Sequence, residues 1–205
     1  MRLKKGILIV FEGIDGAGKS TQARILYEEL EKRSFETVFS KEPTDSVYGL
    51  KIRDLATRDR DSVSPEEEYH LFVNDRRIHV AGLIKPSLVD GKIVILDRYY
   101  HSTMAYQGAL GLDMSRIREE NESFAPRPDV VFLLRILPGQ GLERIRKSRN
   151  EMPNLFEREE GLKKVAVLFD SLNDPEIIPL DANEGTEAVH RQVMDEVDKI
   201  LKRYQ

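Results

Sequence analysis

The 205-residue chain contains no cysteine, which excludes disulfides, thiolate nucleophiles, zinc-finger frameworks and iron–sulfur clusters together. It also lacks a long apolar run. Apolar residues make up 40% of the sequence, charged residues 33%, and mean hydropathy is −0.45, a composition that argues against an integral membrane protein and against full disorder. The apolar run Gly6 to Phe11 is too short for a secretory signal and is broken by Glu12 before any small-residue cleavage site. It reads as a buried strand, and a cytoplasmic location with no membrane contact is the expectation. There is no basic excess either: 36 acidic residues face 32 Lys and Arg, for a net charge of −4. That balance argues against a nucleic acid partner, so an anionic ligand must meet a local basic pocket.

What is present is alternation. Short, continuous, β-branched runs at Gly6 to Phe11, Thr37 to Ser40, Ile93 to Leu96, Val130 to Ile136 and Ile177 to Leu180 suit parallel strands buried on both faces. Helical patterns fall between or after them at Lys19 to Lys32, Ser64 to Ile84, Gln140 to Ser148, Arg158 to Leu172 and Glu184 to Arg203. The order predicts an α/β, doubly wound fold over a single domain, 1–205: a five-stranded parallel sheet with helices on both faces and ligands outside the carboxyl ends of the strands. Ser64-Pro65-Glu66-Glu67 is a capping box with proline at the first helical position. The polar stretches around Lys41 to Ser64 and Ser148 to Glu160 read as mobile insertions at the strand ends, with a lid at about 140–160 and an acceptor-binding insertion at about 41–80.

Directly after the first run, Gly13-Ile14-Asp15-Gly16-Ala17-Gly18-Lys19-Ser20-Thr21 matches G-x-x-x-x-G-K-[ST], the P-loop. Its glycines let backbone amides approach phosphate oxygens, Lys19 reaches the β and γ phosphates, and the Ser20 hydroxyl ligates Mg²⁺. ATP or GTP with Mg²⁺ is implied. No guanine-reading N-K-x-D follows, which favours a small-molecule kinase over a switch GTPase. Asp97-Arg98, at the end of the third run, offers a carboxylate for a magnesium-bound water and a cation for a second phosphate. Further on, Leu142 and Ile145 share one helical stripe and Arg146 and Arg149 another, with Arg144 nearby, an arrangement suited to an arginine finger in a closing lid. His70, His79, His101 and His190 receive no catalytic role, because an acceptor phosphate is already anionic and needs positioning more than deprotonation.

Together the residues resemble the thymidylate kinase family, P-loop enzymes that phosphorylate dTMP with ATP. The resemblance rests on Phe11 to Gln22, Glu42-Pro43, Leu71-Phe72, Asp75-Arg76, Asp97-Arg98-Tyr99 with Ser102, and Ala105-Tyr106-Gln107-Gly108. It implies that Asp15 binds the sugar 3′-hydroxyl, Arg98 the acceptor phosphate, Phe72 stacks on thymine and Arg76 bonds its edge. Thr103 lines the base and Tyr106 crowds the 2′ position, with Pro43 and Gln107 completing the acceptor set. A homodimer is implied as well. Since Gly16-Ala17 carries no arginine while Arg144, Arg146 and Arg149 are present, the chain resembles the lid-arginine, mainly bacterial and archaeal, type. Asp181-Ala182 matches a family signature near the adenine.

Two departures stand out. The family's R-E-P-G-G-T reads Lys41-Glu42-Pro43-Thr44-Asp45-Ser46, and its leucine-aspartate at the fourth strand end reads Leu134-Arg135. Arg135 is expected as a buried cation paired with a group such as Glu12, or else directed at phosphate. These changes keep open a paralogous kinase for another pyrimidine nucleotide or nucleoside, or a nucleotide-binding protein with little kinase activity.

Overall fold

The first apolar run folds as β1 (Ile7–Glu12), buried along its whole length. In the computed structural model, which describes residues 1–57, 63–149 and 159–204, with only the backbone at 57, 148 and 149, β1 is the centre of a five-stranded sheet. The strand order is β2-β3-β1-β4-β5, with β2 (Thr37–Lys41), β3 (Ile93–Asp97), β4 (Val130–Arg135) and β5 (Ile177–Asp181). Every pairing is parallel. Phe11 sits in register with Asp97, and Lys41 with Asp97 on the other side. Each strand ends in a charge: Glu12, Lys41, Asp97, Arg135 and Asp181. The carboxyl edge of the sheet is thereby the polar edge, where a ligand of a doubly wound fold binds.

The helices pack around this sheet, α1 (Lys19–Lys32) against β2, β3 and α9 (Thr186–Tyr204). α7 (Pro138–Arg149) and α8 (Glu159–Asp170) lie close to their expected positions, completing a P-loop NTPase-like α/β fold. α3 (Pro65–His79) begins with the expected capping box: Glu67 N donates to Ser64 Oγ at 3.2 Å and Ser64 N to Glu67 Oε2 at 2.8 Å. It does not run uniformly to Ile84. A π turn occupies Val80–Ile84 and α4 (Lys85–Val89) continues beyond it, because Pro86 has no N–H for the carbonyl four residues back and its ring would press on that group.

Three further helices escaped the periodicity. The stretch read as a mobile insertion after Lys41 contains α2 (Val47–Thr57). α5 (Tyr100–Ala109) is buried at nearly every position, so it has no polar face to mark it. α6 (Met114–Glu122) is capped by Asp113, whose carboxylate accepts from Ser115 N at 2.8 Å.

Candidate active site

The P-loop closes over the end of β1. Gly16 has φ +80°, and a Cβ there would lie 2.2 Å from the Gly141 carbonyl oxygen of α7, while a Cβ on Gly141 would lie 2.5 Å from the Asp15 carbonyl oxygen. The loop and α7 touch backbone to backbone. No side chain fits at 16, so any cation for this side of the site has to come from elsewhere, and α7 carries Arg144 and Arg146. The residues from Asp15 to Gln22 line a cavity of about 670 Å³ together with Asp97, Arg98, Arg144, Ala182 and Thr186. Lys19 is buried and donates to Ile14 O at 2.8 Å. Burial, then the nearby Arg98 charge, pushes its ammonium below the ordinary lysine range.

Asp97 links this cavity to β3. Its Oδ2 accepts from Ser20 Oγ, whereas its Oδ1 is buried with no hydrogen-bond partner. An unused carboxylate oxygen beside a hydroxyl suits a hard divalent cation, which takes few protein ligands and keeps several waters.

Arg98 is the hub. It adopts φ 74°, a left-handed conformation that costs a non-glycine residue ~1–3 kcal/mol and persists only where the surroundings hold it. They do so from both sides. Arg98 N donates to Phe11 O at 3.0 Å, and Glu12 Oε1 accepts from Tyr99 N at 2.8 Å and Ser102 N at 3.0 Å. The guanidinium then donates to Ser102 Oγ at 2.9 Å and pairs with Asp15. Tyr106 also donates to Asp15, at 2.9 Å. Burial raises the Asp15 carboxyl, but the Arg98 and Lys19 charges outweigh it and leave the group below its ordinary value. Burial likewise lowers Arg98, and the surrounding Tyr106, Asp15, Asp97 and Glu12 reverse this and raise it.

A second cavity, of about 350 Å³, opens on the far side of Arg98. Asp15, Lys41 and Arg98 line both. Phe72 of α3 is half-buried in its wall, whereas Tyr69 and Val73 of the same helix and Val80 of the π turn are buried in the core. Arg76, one turn on, is 1% exposed and donates through Nε to Glu42 Oε2 at 2.8 Å, Nη1 to Asn121 Oδ1 at 2.7 Å and Nη2 to Thr103 Oγ1 at 3.0 Å. Glu42 is shared with His79 Nδ1 at 3.0 Å, and His79 Nε2 meets Ser40 Oγ at 2.9 Å. Gln107 is buried, donates to Glu68 at 3.2 Å and leaves its Oε1 without a hydrogen bond. Pro43, Thr103, Tyr106 and Gln107 therefore all reach the wall expected of them.

The altered loop after Glu42 is held firmly. Asp75, 1% exposed, accepts from Thr44 N at 2.8 Å, Thr44 Oγ1 at 2.5 Å and Ser46 Oγ at 2.6 Å. Thr44 and Ser46, two of the four residues that depart from the family pattern, are those that bind Asp75. Arg135 corrects the second expectation: it is neither buried nor directed at phosphate. Its side chain is 48% exposed and bonds Asp170 of α8 at 2.7 Å, and Glu12 is committed to Tyr99 and Ser102. On α7, Leu142 and Ile145 are buried and Arg144 and Arg146 exposed. Arg144 donates to Ala182 O at 2.9 Å, while the Arg149 side chain and residues 150–158 of the expected lid lie outside the described residues.

The model of the thymidylate kinase family matches residues 11–193. The chain belongs to the thymidylate kinase family. It is 48% identical to a thymidylate kinase of Desulfotalea psychrophila over 197 residues, 96% of each chain. It is 46% identical to one of Xanthomonas euvesicatoria over 187 residues, 91% of this chain and 81% of that one. Several residues that bond to the lining of the second cavity carried no signal in the sequence. Glu68 and His79 stand at opposite ends of α3 and Asn121 on α6, with no sequence spacing that ties them to Gln107, Glu42 or Arg76. The buried carboxylates Glu12 and Asp75 carried one signal, an acidic residue inside or beside an apolar pattern.

Proposed function

We propose that this chain is an ATP- and Mg²⁺-dependent dTMP kinase. The observation that carries the reading is the meeting of two cavities at Arg98 and Asp15, one lined by the P-loop and the other by Phe72, Arg76 and Gln107. ATP occupies the first, its phosphates on the amides of Gly13 to Thr21 and on Lys19, with Arg144 and Ala182 toward the base. Ser20 and Asp97 would hold Mg²⁺, which supplies charge neutralisation of the phosphates. The monophosphate occupies the second cavity. Its base stacks on Phe72, its imide N–H faces the unpaired Oε1 of Gln107, and a carbonyl takes the one Arg76 N–H of five that the protein leaves over. Asp15 accepts from the sugar 3′-hydroxyl and Tyr106 occupies the 2′ side.

In the reaction a phosphate oxygen of the acceptor forms a bond to the γ-phosphorus. The bond from that phosphorus to the β–γ bridging oxygen breaks, and its electron pair leaves on ADP. No base is required, because the acceptor is already anionic. Arg98 aligns the attacking phosphate, and Arg146 and Arg149 neutralise the transferring group from the lid.

No helix among the described residues is long and apolar enough to cross a membrane. A cytoplasmic homodimer is part of the same reading, with solution size as its test. Both features that pointed to a non-catalytic paralogue have structural accounts, Arg135 in its pair with Asp170 and the altered loop in its bonds to Asp75. A panel of nucleoside monophosphates assayed for ADP release should show dTMP as the preferred acceptor. dUMP, which lacks one methyl, should be poorer by ~10- to 200-fold. Absence of dTMP-dependent ADP release would overturn the reading.

A further inference from the structure

A cation that lines a binding cavity without a protein acceptor keeps its N–H donors free for an anionic ligand. The cations lining the two cavities are Lys19, Lys41, Arg53, Arg76, Arg98 and Arg144. Five have protein acceptors: Ile14 O for Lys19, Pro43 O and Asp45 for Arg53, Glu42 for Arg76, Asp15 for Arg98 and Ala182 O for Arg144. The Lys41 side chain has none among the described residues.

Its position is as distinctive as its lack of a partner. Lys41 ends β2 in register with Asp97 of β3, and it lines both cavities, a property it shares only with Asp15 and Arg98 among the described residues. Neither nearby carboxylate is bonded to it. Asp15 holds Arg98 and Tyr106, and Asp97 Oδ2 holds Ser20. All three ammonium N–H donors of Lys41 are therefore available at the point where the cavities join.

We propose that Lys41 is a further catalytic residue, its ammonium binding the acceptor phosphate and staying with the negative charge as the phosphoryl group crosses between the cavities. The inference rests on the kinase reading for the transfer step, but its phosphate contact is testable without turnover. The ammonium of Lys41 is a point charge on a flexible stem, able to follow a moving group. Arg98, clamped by four protein groups, is the fixed cation and Lys41 the mobile one.

The experiment compares wild type with Lys41→Ala, Lys41→Gln and Lys41→Arg, measuring dTMP and thymidine affinity by calorimetry and steady-state kinetics with ATP. Loss of one charge-assisted hydrogen bond predicts a ~10- to 100-fold fall in kcat/KM for dTMP in the Ala and Gln variants. dTMP affinity should weaken with thymidine affinity unchanged, and the charge-preserving Arg variant should regain most of the loss. Lys41 is exposed, so the melting temperature should not move. Equal shifts for dTMP and thymidine, or kinetic constants within twofold of wild type, overturn the proposal. A wild type that binds dTMP in a Lys41-dependent way but releases no ADP would instead overturn the kinase reading and leave the phosphate contact supported.

Discussion

Around the P-loop, binding potential comes mostly from backbone: a row of amides made approachable by glycines, one lysine resting on a carbonyl, and a serine on a carboxylate. Around Phe72 it comes from side chains that are buried and bonded to one another, Arg76 to Glu42, Asn121 and Thr103, Glu42 to His79, and Asp75 to Thr44 and Ser46. The difference follows from what each region must recognise. Phosphate is the same in every nucleotide, and a contiguous loop with a fixed backbone path suffices for it. A base edge requires donors and acceptors at set places, and only groups immobilised by further groups hold those places.

The two constructions should fail in different ways, and the largest effect should lie in the cleft. Glu42 is the sole carboxylate among the described residues bonded to Arg76, with both side chains under 5% exposed. Glu42→Ala leaves a buried guanidinium without its counter-charge, a loss of ~3–5 kcal/mol. At ~2–4 °C per kcal/mol for a chain of this size, calorimetry should record a midpoint lowered by ~10 °C, with monophosphate affinity falling alongside. A Glu42→Ala protein as stable as wild type would erase the contrast between the regions.

Lys19→Ala should do the reverse. Burial already disfavours the Lys19 charge, so its removal should leave the midpoint near that of wild type. Turnover should nevertheless fall by ~10²- to 10³-fold, the range for losing one donor to developing charge. Rapid-quench kinetics with ATP and dTMP separates chemistry from binding. A protein that melts early yet turns over normally would place Lys19 in the scaffold rather than in the reaction.

How much could be read beforehand tracks the same contrast. The P-loop, α1 and the strands were legible because each is written in adjacent residues, as a run or a spaced motif. Phe72 and Arg76 were legible as a pair because four residues bring them to one helical face. Glu42 directly follows β2, while Asn121, Thr103 and His79 come from α6, α5 and α3, and no local period links them. α5 was missed because burial on all sides removes the polar stripe that defines an amphipathic helix. Arg135 was misread because a charge at a strand end was taken as facing the cradle, when α8 supplies Asp170 on its other side.

Glu12 lies beneath both regions, and its effect should be the smallest and the most dependent on pH. Burial, only partly offset by Ser102, Arg98 and the Tyr99 amide, raises its carboxyl from 4.5 to about 7. Between those values the folded protein keeps a proton that the unfolded chain has lost. The contribution of Glu12 to stability is thus complete below about 4.5 and declines as pH rises to about 7. His101 works in the opposite sense. Burial lowers it from 6.5 to about 3, so the unfolded chain takes up protons that the folded one refuses, and stability rises with pH across that range. Glu12→Gln separates the two, because its amide oxygen can still accept from Tyr99 N and Ser102 N while its nitrogen donates to Ser102 Oγ. The variant should match wild type near pH 4.5 and become relatively more stable toward pH 8, by on the order of a few °C. A difference in midpoint that stays flat across this range would mean that Glu12 is ionised throughout, with Arg98 rather than a bound proton compensating it.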